Sequence, residues 1–204
     1  IQDHDPITYG GCGHGSGDKC TGQNGDPLLT KGVQEDGELM AGRYGSFLSC
    51  YFGLSAEWFI EKGMRAFFGY TIPWTFVATT FPNDLAPGFF EAHYALDIAW
   101  AKGSDNPGAL ASSDVAYDKL IASVPSWAAR YAIANKQGRK FLYTTPDGPY
   151  ASPPGFKCCL CGKELDSCQN LIDHLVKDHQ VCPPAPKRPG WCKIFGWLVG
   201  CPLA

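Results

Sequence analysis

Long apolar runs are missing from this chain. None of its 204 residues lies in a stretch near the ~18 apolar positions that a membrane-spanning helix needs, and the short run at residues 194–199 falls far below that length. A charge excess is missing too. Seventeen Lys and Arg stand against twenty Asp and Glu, a formal net charge of -3, so no global field recruits nucleic acid or an anionic membrane surface. Charged residues are 18% and hydrophobic ones 45% of the chain, which argues against disorder and for a buried core. No charged-then-apolar leader opens the chain, so no secretory signal is expected, and Ile1 in place of Met reads as a fragment or a processed product. Two common motifs also fail. Residues 15–19, Gly-Ser-Gly-Asp-Lys, lack the Gly-Lys-Ser/Thr of a phosphate-binding loop, and Ser16 lacks the glycine frame of a hydrolase elbow.

Cysteine is plentiful, and its distribution matters more than its number. Seven of the ten, Cys158, Cys159, Cys161, Cys168, Cys182, Cys192 and Cys201, lie beyond residue 157. Two of those stand at zinc-ligand spacing with histidines, which favours metal binding in a reducing, cytoplasmic compartment over a disulfide framework. Disulfides among Cys182, Cys192 and Cys201 stay open as an alternative.

Two residues separate Cys158 from Cys161, twelve separate Cys161 from His174, and four separate His174 from His179. Structural zinc takes four nitrogen or sulfur ligands in a tetrahedron, and a turn with two thiolates facing a helix with two imidazoles supplies them. Phe156, Leu165 and Leu171 fall where such a small module needs apolar packing. The segment 156–179 resembles the C2H2 zinc finger family, with Leu165 where that family usually has Phe. The resemblance implies a ββα unit around a structural Zn2+. Three basic residues (Lys157, Lys163, Lys177) face four acidic ones (Glu164, Asp166, Asp173, Asp178), and the family's base-reading positions would be Ser167, Asn170 and Asp173. Duplex affinity rests on phosphate contacts by Lys and Arg. The module is therefore expected to staple the fold or dock a protein partner, and nucleic acid is not the expected target.

Ahead of it, short apolar runs at residues 7–11, 44–49 and 64–70 read as buried strands, with a helix over 55–62 between the last two, capped by Ser55. That rhythm predicts an α/β fold, a parallel sheet flanked by helices. Asp26-Pro27 is expected to start a short helix. Further helices are expected over 87–102, with His93 as a packing residue, and over 113–135, split at Pro125. A β-hairpin is expected over 141–150, turning at Pro146-Asp147-Gly148. The expected organisation is a sheet domain over 1–150, the zinc module over 156–180 and a Pro- and Cys-containing tail over 181–204.

His14 and Cys50 follow the first two strand-like runs. Residues just past the carboxyl ends of neighbouring parallel strands gather in one crevice, and residues 12–42 are long enough for a parallel crossover. A thiolate activated by an imidazole is a nucleophile, and the Gly15 and Cys50 amides are candidates for an oxyanion hole. As bare residue types, a buried inert Cys50 and a loop His14 remain the plainer reading. Cys12 and Cys20 beside His14 are a further, incomplete metal set.

Tyr9-Gly10-Gly11-Cys12-Gly13-His14-Gly15, then Phe47-Leu48-Ser49-Cys50-Tyr51-Phe52-Gly53 and the run after it, resemble the caspase-like cysteine peptidases of the gingipain, clostripain and CHAT group over about residues 5–102. The resemblance implies a caspase-like sheet, a catalytic dyad of His14 and Cys50 with Gly15 at the oxyanion, and a protein or peptide substrate. It also implies an acidic or basic pocket for the residue before the cleaved bond; Asp18, Asp26, Asp36 and Asp84 are candidates for a basic one. That group carries strands ahead of its His-Gly strand, and only six residues precede Ile7 here, so an upstream segment or a second chain is expected to supply them. The alternative is a catalytically inactive adaptor that binds a protein through the zinc finger.

Overall fold

The structure, a computed structural model, describes residues 8–22, 24–79, 84–151, 156–158, 160–166 and 168–179. The tail with Cys182, Cys192 and Cys201, the residues His4, Cys159 and Ser167, and the boundary at 153–155 lie outside them. The fold is α/β, with a mixed five-stranded sheet flanked by helices. The chain divides into two compact units, one of Ile1–Ile72 with Arg139–Pro153, the other of Pro73–Gly138 with Pro154–Ala204.

In the first unit, strands β1 (Thr8–Cys12), β5 (Tyr44–Leu48) and β6 (Ala66–Tyr70) run parallel, and β7 (Arg139–Thr145) and β8 (Gly148–Ala151) complete the sheet in the order β1-β5-β6-β7-β8. The expected all-parallel sheet is corrected here. β7 pairs antiparallel with β6, and β8 with β7, because the Pro146-Asp147 turn folds the chain straight back into a hairpin. Every residue of β6 is buried, the signature of a strand covered on both faces and the reason its sequence is a continuous apolar run. Helices α1 (Gln34–Met40) and α2 (Ala56–Glu61) bring Met40, Phe59 and Ile60 onto Phe47, Phe67 and Leu142 of the sheet. Phe47, Phe52, Phe59 and Phe67 form the centre of this core, with Phe47 and Phe67 ring centroids 4.8 Å apart. Such pairs add ~0.5–1.5 kcal/mol each beyond their area.

A smaller antiparallel sheet, β2 (His14–Gly15), β3 (Lys19–Thr21) and β4 (Pro27–Thr30), occupies much of the β1–β5 crossover. Pro27 thus opens an edge strand, where its missing N–H is tolerated, and the helix expected there begins instead at Gln34. Ser55 stands at the N-cap position of α2 as expected, but its side chain makes no cap bond: the hydroxyl donates to the Gly17 carbonyl at 2.7 Å.

In the second unit, α3 (Ala86–Ala101), α4 (Asn106–Ser123) and α5 (Ser126–Gln137) follow one another, with Pro125 dividing the last two. α4 starts seven residues before the expected position, because the Asp105 carboxylate caps it by accepting from the Gly108 N–H at 2.8 Å. The buried Asn135 amide exchanges two hydrogen bonds with the Thr75 main chain, at 2.6 and 3.1 Å. Strands β9 (Phe156–Lys157) and β10 (Glu164–Leu165) then pair antiparallel ahead of helix α6 (Cys168–His179). No helix among the described residues is long and apolar enough to cross a membrane.

His93 on α3 is fully buried, and desolvation pushes its pKa down to about 3. The unfolded chain takes up that proton near pH 6.5, so acidification from there toward pH 3 favours unfolding, by ~1.4 kcal/mol per pH unit. Urea denaturation of wild type and His93→Gln at pH 7 and pH 5 is expected to show the wild type losing about 2 kcal/mol more than the variant. Equal losses in the two proteins would remove His93 from the account.

Candidate functional site

Two places in the described chain concentrate reactive side chains, one in each unit. The first lies where β1 and β5 end. Cys12 and Leu48 are register partners, so the residues beyond them leave from the same end of adjacent parallel strands. The Gly13 N–H donates to the Leu48 carbonyl at 3.2 Å, extending the ladder by one step. The buried Ser49 hydroxyl then donates to the His14 carbonyl at 2.9 Å, and the Thr21 hydroxyl donates to the same oxygen at 3.2 Å. A Cβ on Gly15 would fall onto Ser49 Oγ and within 2.6 Å of the Cys50 carbonyl oxygen. His14–Gly15 and Ser49–Cys50 therefore touch, through the Ser49 hydroxyl and the Cys50 carbonyl, and a Cβ at residue 15 would not fit without a shift. The His14 residue is exposed and Cys50 is half-buried.

The backbone is strained one residue further on. Tyr51 has φ 60 and ψ -9, and among the described residues it alone combines a side chain with positive φ. This conformation costs ~1–2 kcal/mol for a residue with a Cβ. Hydrogen bonds hold it in place, from the Tyr51 N–H to the Ile72 carbonyl at 3.0 Å and from the Leu54 N–H to the Tyr51 carbonyl at 2.9 Å. Strain of this kind clusters at functional positions. Below the same edge, Cys20 is buried, and desolvation pushes its thiol pKa up despite a hydrogen bond with Ser49. That thiol stays protonated near neutral pH. Cys12, His14 and Cys20 do not form a metal-competent group among the described residues.

Two of the four candidate acids have structural work. Asp36 accepts from the Thr30 N–H at 2.6 Å, and Asp84 accepts from the Thr79 and Ala86 N–H groups at 3.1 Å each, which hold its carboxyl below the usual range. Asp18 is exposed on the turn between β2 and β3, and a hydrogen bond from Ser16 lowers its pKa. Asp26 is exposed as well.

The second place is the Cys158, Cys161, His174 and His179 cluster, whose ligand atoms all lie within 4.8 Å of one another. The β9–β10 turn carries the cysteines and α6 the histidines. Cys158 Sγ is 3.3 Å from His179 Nε2, and Cys161 Sγ is 3.1 Å from His174 Nε2. Zinc bonds of ~2.3 Å to sulfur and ~2.0–2.1 Å to nitrogen set an S···N edge of ~3.5 Å, a few tenths of an ångström longer than these two S···N distances. The Lys163 backbone N–H, then His179 and His174, lower the Cys161 thiol to about 6, toward the thiolate that binds metal. Asp178, one turn after His174, lies 2.5 Å from its Nδ1. A carboxylate there holds the proton on Nδ1 and leaves the Nε2 lone pair for a metal. The donor set and its support fit a divalent metal ion.

Asp178 and Ser49 are site residues beyond those the sequence nominates. The i, i+4 spacing of His174 and Asp178 was the available signal for one, and none existed for the other. No family model matches the chain, and neither does any curated protein or solved structure.

Proposed function

We propose that this protein is a cysteine endopeptidase whose nucleophile is Cys50 and whose proton carrier is His14. The observation that carries the reading is the contact of His14–Gly15 with Ser49–Cys50 at the shared end of two adjacent parallel strands. In this reading His14 takes the Cys50 proton, the thiolate attacks the peptide carbonyl, and the Gly15 and Cys50 N–H groups receive the developing oxyanion. His14 returns the proton to the leaving amine, and water then hydrolyses the Cys50 thioester. Asp18 and Asp26 are the acids left for a basic side chain before the cleaved bond. In the other unit, a structural zinc ion completes a C2H2 finger from Cys158, Cys161, His174 and His179, which supports the fold or docks a protein partner.

Iodoacetamide labelling at mildly acidic pH, mapped by mass spectrometry, tests the Cys50 assignment. A paired thiolate reacts where ordinary thiols are almost wholly protonated. Cys50 is expected to label ahead of the exposed Cys12 and the buried Cys20, and to slow by about tenfold or more in His14→Ala. Labelling of Cys50 at the Cys12 rate, or with no dependence on His14, would favour the non-enzymatic adaptor.

A further inference from the structure

The apolar side chains around the Cys158–His179 cluster do not form a private core. Leu171 and Leu175 of α6, together with Cys158, are buried in one cluster with Ile133 of α5, and Ile121 of α4 packs against it beside Phe156 and Leu165. Leu171, Leu175 and Cys158 are each 0% exposed and Ile133 is 4%. A self-contained metal module of this size has to enclose its own few apolar residues. Here two helices from another part of the sequence close it. Cys158 is at once a candidate metal ligand and a member of that shared core.

We infer that the metal at Cys158, Cys161, His174 and His179 is a clasp for the α4–α5 helix pair, so that metal occupancy and the packing of α5 are one coupled event. The inference rests on the metal reading above and adds the metal's task. Bound metal fixes the cysteine turn against α6, the fixed pair presents Leu171, Leu175 and Cys158 as one apolar face, and Ile133 seats into it. Coupling of this kind is reciprocal: whatever metal does for α5, the seating of α5 does for metal affinity. The buried face of α6 is thereby committed within the chain. Among the α6 residues whose burial is described, Asn170, Asp173, Lys177 and Asp178 are exposed, a set poor in the cations that a nucleic-acid reader needs.

The test is zinc affinity of the full chain by competition with a chromogenic chelator, in variants that touch no ligand. Ile133→Ala is expected to weaken zinc binding about tenfold and Ile133→Val about twofold, since each removes part of the shared core. Val115→Ala, on an α4 side chain that is 70% exposed, is expected to leave affinity unchanged. In wild type, chelation is expected to raise amide hydrogen exchange in residues 126–137 along with residues 168–179. That measurement carries the test should Ile133→Ala fail to fold. Zinc affinity unchanged in both Ile133 variants, or α5 exchange insensitive to chelation, overturns the clasp while leaving the metal site standing. A wild-type chain that holds no zinc overturns the metal reading and the clasp with it.

Discussion

Cys158→Ser is expected to lower zinc affinity by a few hundredfold, and Asp178→Asn by only tenfold to a hundredfold. Structural zinc contributes ~10–16 kcal/mol of apparent binding energy in small modules, and an even quarter of that per ligand is ~2.5–4 kcal/mol, a range of roughly 70- to 900-fold centred on a few hundredfold. Asp178 stands outside the four-residue cluster. It orients His174 through Nδ1 at 2.5 Å, and partners of this kind are worth about one to two factors of ten. The order of the two effects matters as much as their size. If Asp178→Asn matches Cys158→Ser, Asp178 is itself a ligand; if Cys158→Ser binds zinc like wild type, the four residues are not the site. Isothermal titration against a chelator of known affinity reads both.

Gly15→Ala is expected to destabilise the sheet unit by ~3 kcal/mol, while Gly10→Ala stays within about 0.5 kcal/mol of wild type. The two glycines lie five residues apart and differ in what a methyl group would meet. At Gly10 nothing lies within 4 Å, whereas at Gly15 the added carbon falls on Ser49 Oγ and 2.6 Å from the Cys50 carbonyl oxygen. The Ser49 rotor can turn away, but the Cys50 carbonyl belongs to main chain held by the sheet, so β2 has to move. A loss of ~3 kcal/mol lowers the melting temperature by roughly 6–12 °C in a chain of this size. In the proposed dyad the same displacement would separate His14 from Cys50, so iodoacetamide labelling of Cys50 in Gly15→Ala is expected to fall toward the His14→Ala rate. A variant with wild-type melting and wild-type labelling would show that the contact between the two strand ends is unimportant to both.

The parts of the fold readable in the sequence are those whose local pattern and tertiary role agree. β5 and β6 are apolar runs because the sheet buries them, the β7–β8 turn declares itself through Pro146-Asp147-Gly148, and Pro125 divides α4 from α5 as its missing N–H requires. The Cys158, Cys161, His174 and His179 cluster was readable because the geometry of metal coordination constrains spacing as well as residue type. What escaped had no periodic signal. β2, β3 and β4 are only two to four residues long, too short for an alternating pattern, and exist through pairing rather than propensity. α1 has no side-chain cap and carries Gly37 in its middle, where a Cβ would press on Trp58 and Lys62. At the β1–β5 edge, His14 and Cys50 could be nominated by type, but the contact of His14–Gly15 with Ser49–Cys50 depends on strand register and on the Ser49 hydroxyl, which no local pattern encodes.

The sheet register also sets an order of events during synthesis. Tyr70 at the end of β6 faces Arg139 at the start of β7, so the ribosome must make all of residues 71–138 between two strands that end as neighbours. At ~5–20 residues per second that interval is on the order of 3–14 s. Through it β6 has no β7 to pair with, and Phe67 and Phe68 lack their register partners Leu142 and Phe141. The excursion leaves and returns at adjacent positions, so completing the sheet is a late, non-local closure. During those seconds the newborn chain has its greatest need of chaperone cover.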